Sequence, residues 1–262
     1  MVLTLSFVAD AYGTGTRHPM HEHDSLHMSI VLCGRLSERV GSSIEYAGAL
    51  SVVAKDAGVA HANEFGIGGA RIARLGLEEG SIAKLIDDSA RSSEWRWTHD
   101  AIVAAPFLRL VGRGSRGITG FASDDPDVLD LLAAFTARPA AHPRGTPPAW
   151  LGQTLAELRE SWRPGMSVSD VAARAGVHPV YLARSLRRWF GTGVGEELRR
   201  LRFKSAAAAV AGGTGAISSV AHSTGYADEA HLCREFRRAL GTTPGRYRAL
   251  LRGLSFHDGS AS

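Results

Sequence analysis

The sequence predicts a multidomain protein in which a mainly β N-terminal domain precedes an all-helical C-terminal domain. The length of 262 residues suits two modest domains. The hydrophobic period differs on the two sides of a proline-rich segment, Arg138–Ala149. Four prolines and a glycine within that segment prevent regular structure there. We therefore expect domains at residues 1–138 and 150–255, with a linker at 139–149.

The formal net charge of +4 divides unevenly between these two regions. Residues 1–140 contain 13 Lys+Arg and 17 Asp+Glu, whereas residues 141–262 contain 17 and 9. A basic region behind an acidic one indicates that the second domain meets a polyanion. Its basic residues are nearly all arginine, which suits bidentate contacts to phosphates and bases, although arginine enrichment also accompanies a GC-rich genome.

The composition excludes several classes of protein. Hydrophobic residues make up 44% of the chain and charged residues 21%, which argues against disorder. No run of about 18 apolar residues could span a membrane, and the N-terminus lacks the basic region of a secretory signal. The two cysteines, Cys33 and Cys233, are too few for a disulfide framework or a cysteine-based zinc site. A cytoplasmic location is expected.

Short β-branched segments separated by glycines predict strands between residues 18 and 80. The segments are HMSIVLCGRL, SSIEYAGALSVVAK and ARIARLGLE, and their spacing is typical of an antiparallel sandwich or barrel. Apolar periodicity then predicts helices within residues 81–111 and 126–138. The second helix has an apolar stripe that is either a dimer interface or a face packed on its own barrel. The stripe consists of Val128, Leu131, Leu132 and Phe135.

The helical half contains an internal repeat with an offset of 49 to 50 residues, which predicts two copies of one supersecondary unit. The matched pairs include Val171 with Val220, Gly176 with Gly225, Leu182 with Leu232, Arg184 with Arg234, Arg188 with Arg238 and Gly191 with Gly241. Each copy has a short helix with a small alanine, a glycine turn, and a second helix with arginines on the face opposite its leucine. That arrangement is typical of a helix-turn-helix unit that binds in a major groove.

At these residues the sequence resembles the AraC/XylS family of bacterial transcription regulators. The likeness is strongest over GYADEAHLCREFRRALGTTPGRYR, although Ala230 stands where the family usually has serine. The resemblance implies two helix-turn-helix units joined by one long helix, GVGEELRRLRFKSAAAAVAGG. It also implies contacts with double-stranded promoter DNA. The expected contact residues are Val180, Ala183, Arg184, Arg187, Arg188, Glu229, Ala230, Cys233, Arg234, Arg237 and Arg238.

Among these residues, Arg184 and Arg234 are the best candidates for guanine contacts, because arginine is the commonest partner of guanine in the major groove. Val180, Ala183 and Ala230 are small and apolar, which limits them to thymine methyl groups. The later arginines on each helix are expected to contact phosphates.

Histidines are concentrated in HPMHEHDSLH, residues 18–27. His21, His23 and His27 would share one face of an extended strand, and His61 follows in KDAGVAHANEFG. Neutral imidazoles at this spacing suit Zn, Fe, Ni or Cu. The layout is similar to the cupin superfamily, whose small barrels often form the sensory half of AraC-type regulators, although Asp56 replaces the usual proline before the second histidine motif.

Three alternatives remain open for the histidines: a transition-metal site, a metal-free pocket for an organic effector, or a purely structural role. The leading hypothesis is a transcription regulator, more often an activator that contacts RNA polymerase, with a small effector or metal in a cupin-like barrel. A homodimer is also possible. The rival is a metal-dependent cupin oxygenase or isomerase using the same histidines, which would leave the arginine-rich repeat without a role.

Overall fold

A computed structural model describes residues 2–77, 95–122, 124–136 and 146–259. The chain forms two compact units. The first comprises the described residues within Met1–Ala137, Ala207–Thr214 and Cys233–Ser262, and the second those within Arg138–Ala206 and Gly215–Leu232. The domain boundaries predicted from the sequence, at residues 138 and 150, stay a prediction.

A curled β-sheet dominates the first unit. Its strands are β1 (Val2–Tyr12), β2 (Arg17–His21), β3 (His27–Val40), β4 (Ser43–Gly48), β5 (Val52–Lys55), β6 (His61–Leu77), β7 (Trp95–Thr98), β8 (Gly120–Ala122) and β9 (His257–Asp258). The main order is β7-β5-β3-β6-β1-β8. All recorded pairings are antiparallel except that of β9, which runs parallel to β1. The predicted antiparallel β domain is confirmed, whereas its cupin identity stays a prediction.

The strand pairing places polar residues from distant parts of the chain side by side. In β2 and β6, His21 is directly opposite His61. In β3 and β6, Glu38 is opposite Asn63, and in β5 and β7, Lys55 is opposite Trp95. Because neighbouring residues on paired strands lie about 5 Å apart, these registers bring together a polar cluster on the sheet.

Two helices follow the sheet: α1 (Ala101–Gly114) and α2 (Pro126–Thr136). Val128 and Leu131 of α2 are buried within this unit, and α2 packs against α1. The α2 stripe was predicted to be either a dimer interface or a face packed within its own domain, and these two residues are packed within the domain. The helix predicted over 81–111 is wrong at Trp95–Thr98, which form strand β7 instead. The part of that prediction at 81–94 lies outside the described residues.

The second half of the chain is helical, as predicted. Its helices are α3 (Ala149–Ser161), α4 (Val168–Arg174), α5 (Pro179–Phe190), α6 (Val194–Gly212), α7 (Ile217–Ser223), α8 (Glu229–Leu240) and α9 (Pro244–Arg252). The predicted long helix is α6. The proline-rich segment ends one residue earlier than expected, because Ala149 begins α3. Most of that segment lies outside the described residues.

The second unit has its own apolar core. Leu151, Leu155 and Leu158 of α3 pack with Val171 and Ala172 of α4, and Leu182 and Leu186 of α5 join them. Burying a side chain of this size stabilises the folded state by about 1.5–3 kcal/mol. No helix among the described residues is long and apolar enough to cross a membrane.

Candidate functional sites

Helix α5 has one buried face and one arginine-rich exposed face. Leu182 and Leu186 are fully buried, whereas Arg184, Arg187 and Arg188 are exposed. The spacing of 3.6 residues per turn separates these two sets onto opposite sides of the helix. The exposed face therefore carries three positive charges that do not take part in the core.

Helix α8 repeats this division. Leu232 and Phe236 are fully buried, and Arg234, Arg237 and Arg238 are exposed. Arg238 donates to Glu235, with 2.8 Å between Nη2 and Oε2. The two helices therefore agree in their two buried apolar positions and their three exposed arginines.

The turns that precede these helices are built alike. Gly176 before α5 and Gly225 before α8 have φ of +65° and +80°. Only glycine adopts this left-handed conformation without steric cost, so each glycine permits a tight turn between two helices. The alanines that precede the turns, Ala172 and Ala221, are buried. Their small side chains permit the helices of each pair to approach closely.

Among the described residues, five of the six matched arginines have no carboxylate within ion-pair distance. These are Arg184, Arg187, Arg188, Arg234 and Arg237. Arg188 also lies over the ring of Trp189, with its Cζ 5.5 Å from the ring centroid, within the limit of about 6 Å for a cation–π contact. Unpaired exposed guanidinium groups on two matched helices form a surface suited to an anionic polymer.

The other predicted DNA contacts divide by exposure. Val180 is 55% exposed, and Glu229 and Ala230 are also exposed, whereas Ala183 and Cys233 are half-buried. Ala183 also packs against the core of the second unit. All eleven predicted contact residues lie on α5 or α8.

A histidine cluster forms the second candidate site. Nitrogens of His21, His23 and His61 all lie within 4.8 Å of one another, a grouping that could hold a metal ion. His27 is not part of that grouping, although its ring centroid is 4.4 Å from that of His23. The predicted continuous strand through residues 18–27 is wrong, because β2 ends at His21 and β3 begins at His27.

The His61 ring already has partners on both nitrogens. Its Nδ1 lies 2.9 Å from the carbonyl oxygen of Val59, so that nitrogen must donate. Its Nε2 lies 2.9 Å from Lys55 Nζ and accepts from that ammonium group. The free lone pair of His61 therefore points to Lys55, and a metal ion bound at Nε2 would have to replace the Lys55 contact.

Glu38 lies at the centre of a buried polar network. Its Oε1 accepts from Lys55 Nζ at 2.5 Å and from Asn63 Nδ2 at 3.1 Å. Its Oε2 accepts from the indole Nε1 of Trp95 at 2.6 Å and of Trp97 at 2.8 Å. Since the side chains of Glu38 and Lys55 are 1% and 6% exposed, these contacts compensate two charges that are almost fully removed from water.

The electrostatics of this region favour neutral histidines. Burial, followed by the charge of Lys55, lowers the pKa of His27 to about 3 and that of His61 to about 4. Burial, followed by the charge of Arg74, lowers the pKa of His23 to about 4. Burial alone would raise the pKa of Glu38, but Lys55 and the indole and amide donors lower it. The imidazoles thus keep lone pairs at neutral pH, which metal coordination requires.

Five of these polar groups line a small cavity that opens to solvent: His21, His23, Glu38, Lys55 and His61. Its aromatic wall is formed by Tyr12, Phe65 and Trp97. The ring centroids of Tyr12 and Phe65 are 4.0 Å apart in a stacked arrangement. A cavity with apolar walls and a few convergent polar groups is the usual form of a small-molecule site.

Sequence reasoning missed Glu38, Lys55, Trp95 and Trp97 as residues of this site. The alternation in Trp95-Arg96-Trp97 was a usable signal, because a period of two is typical of a strand. The Glu38–Lys55 pair has no sequence signal, since only the pairing of β3 with β5 and β6 joins the two side chains with His61.

Comparisons with known proteins support the helix-turn-helix interpretation of the helical half. A helix-turn-helix domain model matches residues 171–250. A Streptomyces lividans protein named an AraC-like transcription regulator is 39% identical over 82 residues, which are 31% of this chain and 27% of that protein. The RCS-specific HTH-type transcriptional activator RclR of Escherichia coli K12 is 27% identical over 184 residues, which are 63% of this chain and 59% of RclR. The chain thus matches between about a quarter and three fifths of the length of these relatives.

Two solved structures show weaker likeness. ToxT from Vibrio cholerae O395 has a TM-score of 0.40 at 12% identity and covers 96% of this chain and 99% of its own. The DNA-binding domain of AdpA in complex with a target DNA has a TM-score of 0.36 at 27% identity and covers 41% of this chain and 95% of its own. Because both TM-scores lie below 0.5, neither likeness establishes a shared fold.

The helical half therefore contains a helix-turn-helix domain. The family model matches residues 171–250, and that range includes helices α5 and α8. Through this domain, which follows an N-terminal β domain, the chain is similar to AraC-like transcription regulators.

Proposed function

We propose that this protein is a sequence-specific transcription regulator that binds double-stranded DNA through two helix-turn-helix units, α4 with α5 and α7 with α8. The observation that carries the proposal is the match between the exposed arginine faces of α5 and α8, on helices that share the same buried pattern and the same glycine turn. A structural role for these side chains would require partners within the protein. Most of them have none among the described residues.

The two recognition helices would divide their contacts between bases and phosphates. Arg184 and Arg234 would contact guanine, and Val180, Ala183, Glu229, Ala230 and Cys233 would face neighbouring bases. Arg187, Arg188, Arg237 and Arg238 would contact phosphates, which position the helices without specifying sequence. His178 caps α5 by accepting from the amide of Val180, so the N-terminus of that helix also has donors near the expected backbone.

The cavity of the β domain would hold the effector that controls DNA binding. A transition metal could be that effector, held by nitrogens of His21, His23 and His61 once the Lys55 contact at His61 Nε2 is displaced. The metal-free alternative is an organic ligand between the aromatic wall and Lys55. The name of the Escherichia coli relative, a transcriptional activator, supports activation of transcription. A contact with RNA polymerase would provide that activation. Dimerisation and a cytoplasmic location complete the proposal.

Selection of bound sequences from a random duplex library, with the purified full chain, tests the DNA-binding proposal. We expect an enriched motif with two conserved segments about one helical turn, or about 10 base pairs, apart. Arg184→Ala should relax preference in one segment and Arg234→Ala in the other. Enrichment of no motif, or of a motif that both variants leave unchanged, would contradict the proposed roles.

Zinc titration of metal-free protein tests the metal alternative. If a metal binds, Lys55→Met should bind zinc about ten times more tightly than the wild type, because the competing ammonium group is removed from His61 Nε2. His61→Ala should weaken zinc binding in both backgrounds. Absence of zinc binding in the wild type and in Lys55→Met would leave the organic effector as the ligand of the cavity.

A further inference from the structure

The C-terminal tail after α9 is built into the β domain. Strand β9 runs parallel to β1, with Asp10 opposite His257 and Ala11 opposite Asp258. The carbonyl oxygen of Gly259 lies 2.8 Å from His18 Nε2. The guanidinium of Arg71 lies over the ring of Phe256, 5.1 Å from its centroid. The tail therefore has backbone, polar and aromatic contacts with three strands of the sheet.

The two side chains that hold the end of the tail are also walls of the histidine cavity. Tyr12 and His18 both line it, together with His21, His23 and His61. The Tyr12 ring meets the backbone of Gly259 so closely that a Cβ there would lie 2.3 Å from Tyr12 Cε1. The His18 ring is edge-on to Tyr12, with 5.2 Å between the centroids. A ligand that shifts either side chain therefore disturbs the seat of Gly259.

At its other end the tail is continuous with α9, the helix that follows the recognition helix α8. Leu254, directly after α9, is buried. Within α9, Tyr247 is 1% exposed, and its hydroxyl donates to the carbonyl oxygen of Leu32 on β3 over 3.3 Å. The ring of Phe236 from α8 lies 5.7 Å from that of Tyr247. The recognition helix, α9 and the tail thus form one continuous set of contacts with the β domain.

We propose that residues 254–259 are a latch that couples the histidine cavity to the second DNA-binding helix pair. While Gly259 is seated against Tyr12 and His18, the latch holds α9 on the β domain and restrains α8. Displacement of the cavity wall releases the tail, frees α8 and α9 to adjust to the DNA groove, and raises DNA affinity. Because coupling between two sites is reciprocal, DNA binding also favours the released tail. The DNA part of this proposal rests on the proposed function.

Gly259→Ala in the full chain tests the latch with a change of one methyl group. The added Cβ would lie 2.3 Å from Tyr12 Cε1, so the tail and the Tyr12 ring must move apart. The matched control is Gly215→Ala, because a Cβ at Gly215 has no heavy atom within 4 Å. A chain that ends at Phe256 provides a second released form, which keeps the buried Leu254 and removes β9.

Amide hydrogen exchange and DNA affinity are the two measurements. In both released forms, exchange should rise by at least about tenfold at residues 17–21 and 244–252 and remain unchanged in β6. In Gly259→Ala it should rise equally at residues 257–258, which the shortened chain lacks. Affinity for the selected duplex should rise by about fivefold or more relative to the Gly215→Ala control.

Each possible result decides a different part of the proposal. Fast exchange of the tail in the wild type would overturn the latch. The latch would also be overturned if release of the tail left both the exchange of α9 and the DNA affinity unchanged. A wild type that binds no duplex DNA overturns the proposed function instead. The exchange of residues 17–21 and 244–252 then still shows whether the tail links the cavity wall to α9.

Discussion

The charged groups of the β domain and those of helices α5 and α8 have opposite environments. In the cavity, Glu38 and Lys55 are almost fully buried, and Glu38 accepts four hydrogen bonds. On α5 and α8, the arginines are exposed, and Arg184 and Arg234 have no ion-pair partner among the residues that the structure describes.

This difference separates charges that serve the fold from charges that serve a partner. A buried ion pair must be satisfied internally, because each unpaired charge would cost several kcal/mol. An exposed arginine has no such requirement and contributes little to stability. We therefore expect substitutions in the cavity to change stability and substitutions on the helices to change binding.

The largest expected effect is that of Glu38→Ala. The substitution leaves the Lys55 ammonium buried without its carboxylate and removes the acceptor of two indole groups. We expect the free energy of unfolding to fall by about 3–5 kcal/mol, measured by urea unfolding followed by tryptophan fluorescence.

Glu64→Ala is the matched control for this prediction. Glu64 also pairs with a cation, Arg17, but the two side chains are 53% and 75% exposed. Its loss should change the free energy of unfolding by less than about 1 kcal/mol. Equal effects of the two substitutions would remove the distinction between buried and exposed pairs.

The second prediction concerns the pH dependence of stability without added metal. The ordinary pKa of a histidine is about 6.5, whereas burial lowers that of His27 to about 3 in the folded protein. Between these values the unfolded chain binds a proton that the folded chain does not bind, so the free energy of unfolding must decrease as the pH falls from about 6.5 towards 3.

The variant His27→Gln should reduce this slope, and His222→Gln, at an exposed position of α7, should not. Urea unfolding at several pH values between 4 and 7 gives the slope. An identical slope in the wild type and in His27→Gln would show that the protonation of His27 does not differ between the folded and unfolded states.

The sequence predicted the helical half well because its signals are local. The spacing of leucine and arginine on α5 and α8 indicates the two faces of each helix, and Gly176 and Gly225 indicate the turns before them. The repeat then confirmed the pattern by duplication. Strand β7 was missed because its residues are stabilised by pairing with β5, a contact that local periodicity does not show.

The sequence predicted the histidines of the candidate cavity but not its Glu38–Lys55 pair. The sequence predicted that His21, His23 and His61 lie together, but the position of His27 depended on where β2 ends. Lys55 and Glu38 are 17 residues apart, and only the strand register brings them together. Non-local pairing of this kind cannot be derived from one sequence.

Arg234→Ala provides the third prediction. Loss of a guanine contact should weaken binding to the selected duplex by about 1–3 kcal/mol and relax preference at one base pair, with no change in stability. Arg17→Ala in the β domain, an exposed arginine outside the helices, is the control. Equal weakening across all sequences would assign Arg234 to a phosphate contact instead.

The smallest effects are expected at the beginnings of α4 and α7. Ser167 caps α4 by accepting from the amide of Asp170, whereas Ala216 at the same position of α7 has no side-chain cap. Ser167→Ala should destabilise α4 by about 1 kcal/mol, and Ala216→Ser should stabilise α7 by up to that amount. Amide exchange of the two helices measures both changes, and an equal response to Ala216→Ser in α4 would contradict a local effect.

The most direct test of the central claim is the salt dependence of binding to duplex DNA, measured by fluorescence anisotropy for the wild type and for Arg187→Ala with Arg237→Ala. If the exposed arginines neutralise phosphates, the logarithm of the wild-type association constant falls linearly with the logarithm of the salt concentration. The double variant should then lose about two units of slope, about one for each phosphate contact. A wild-type affinity independent of salt, or an unchanged slope in the double variant, would contradict the assignment of these helices to DNA.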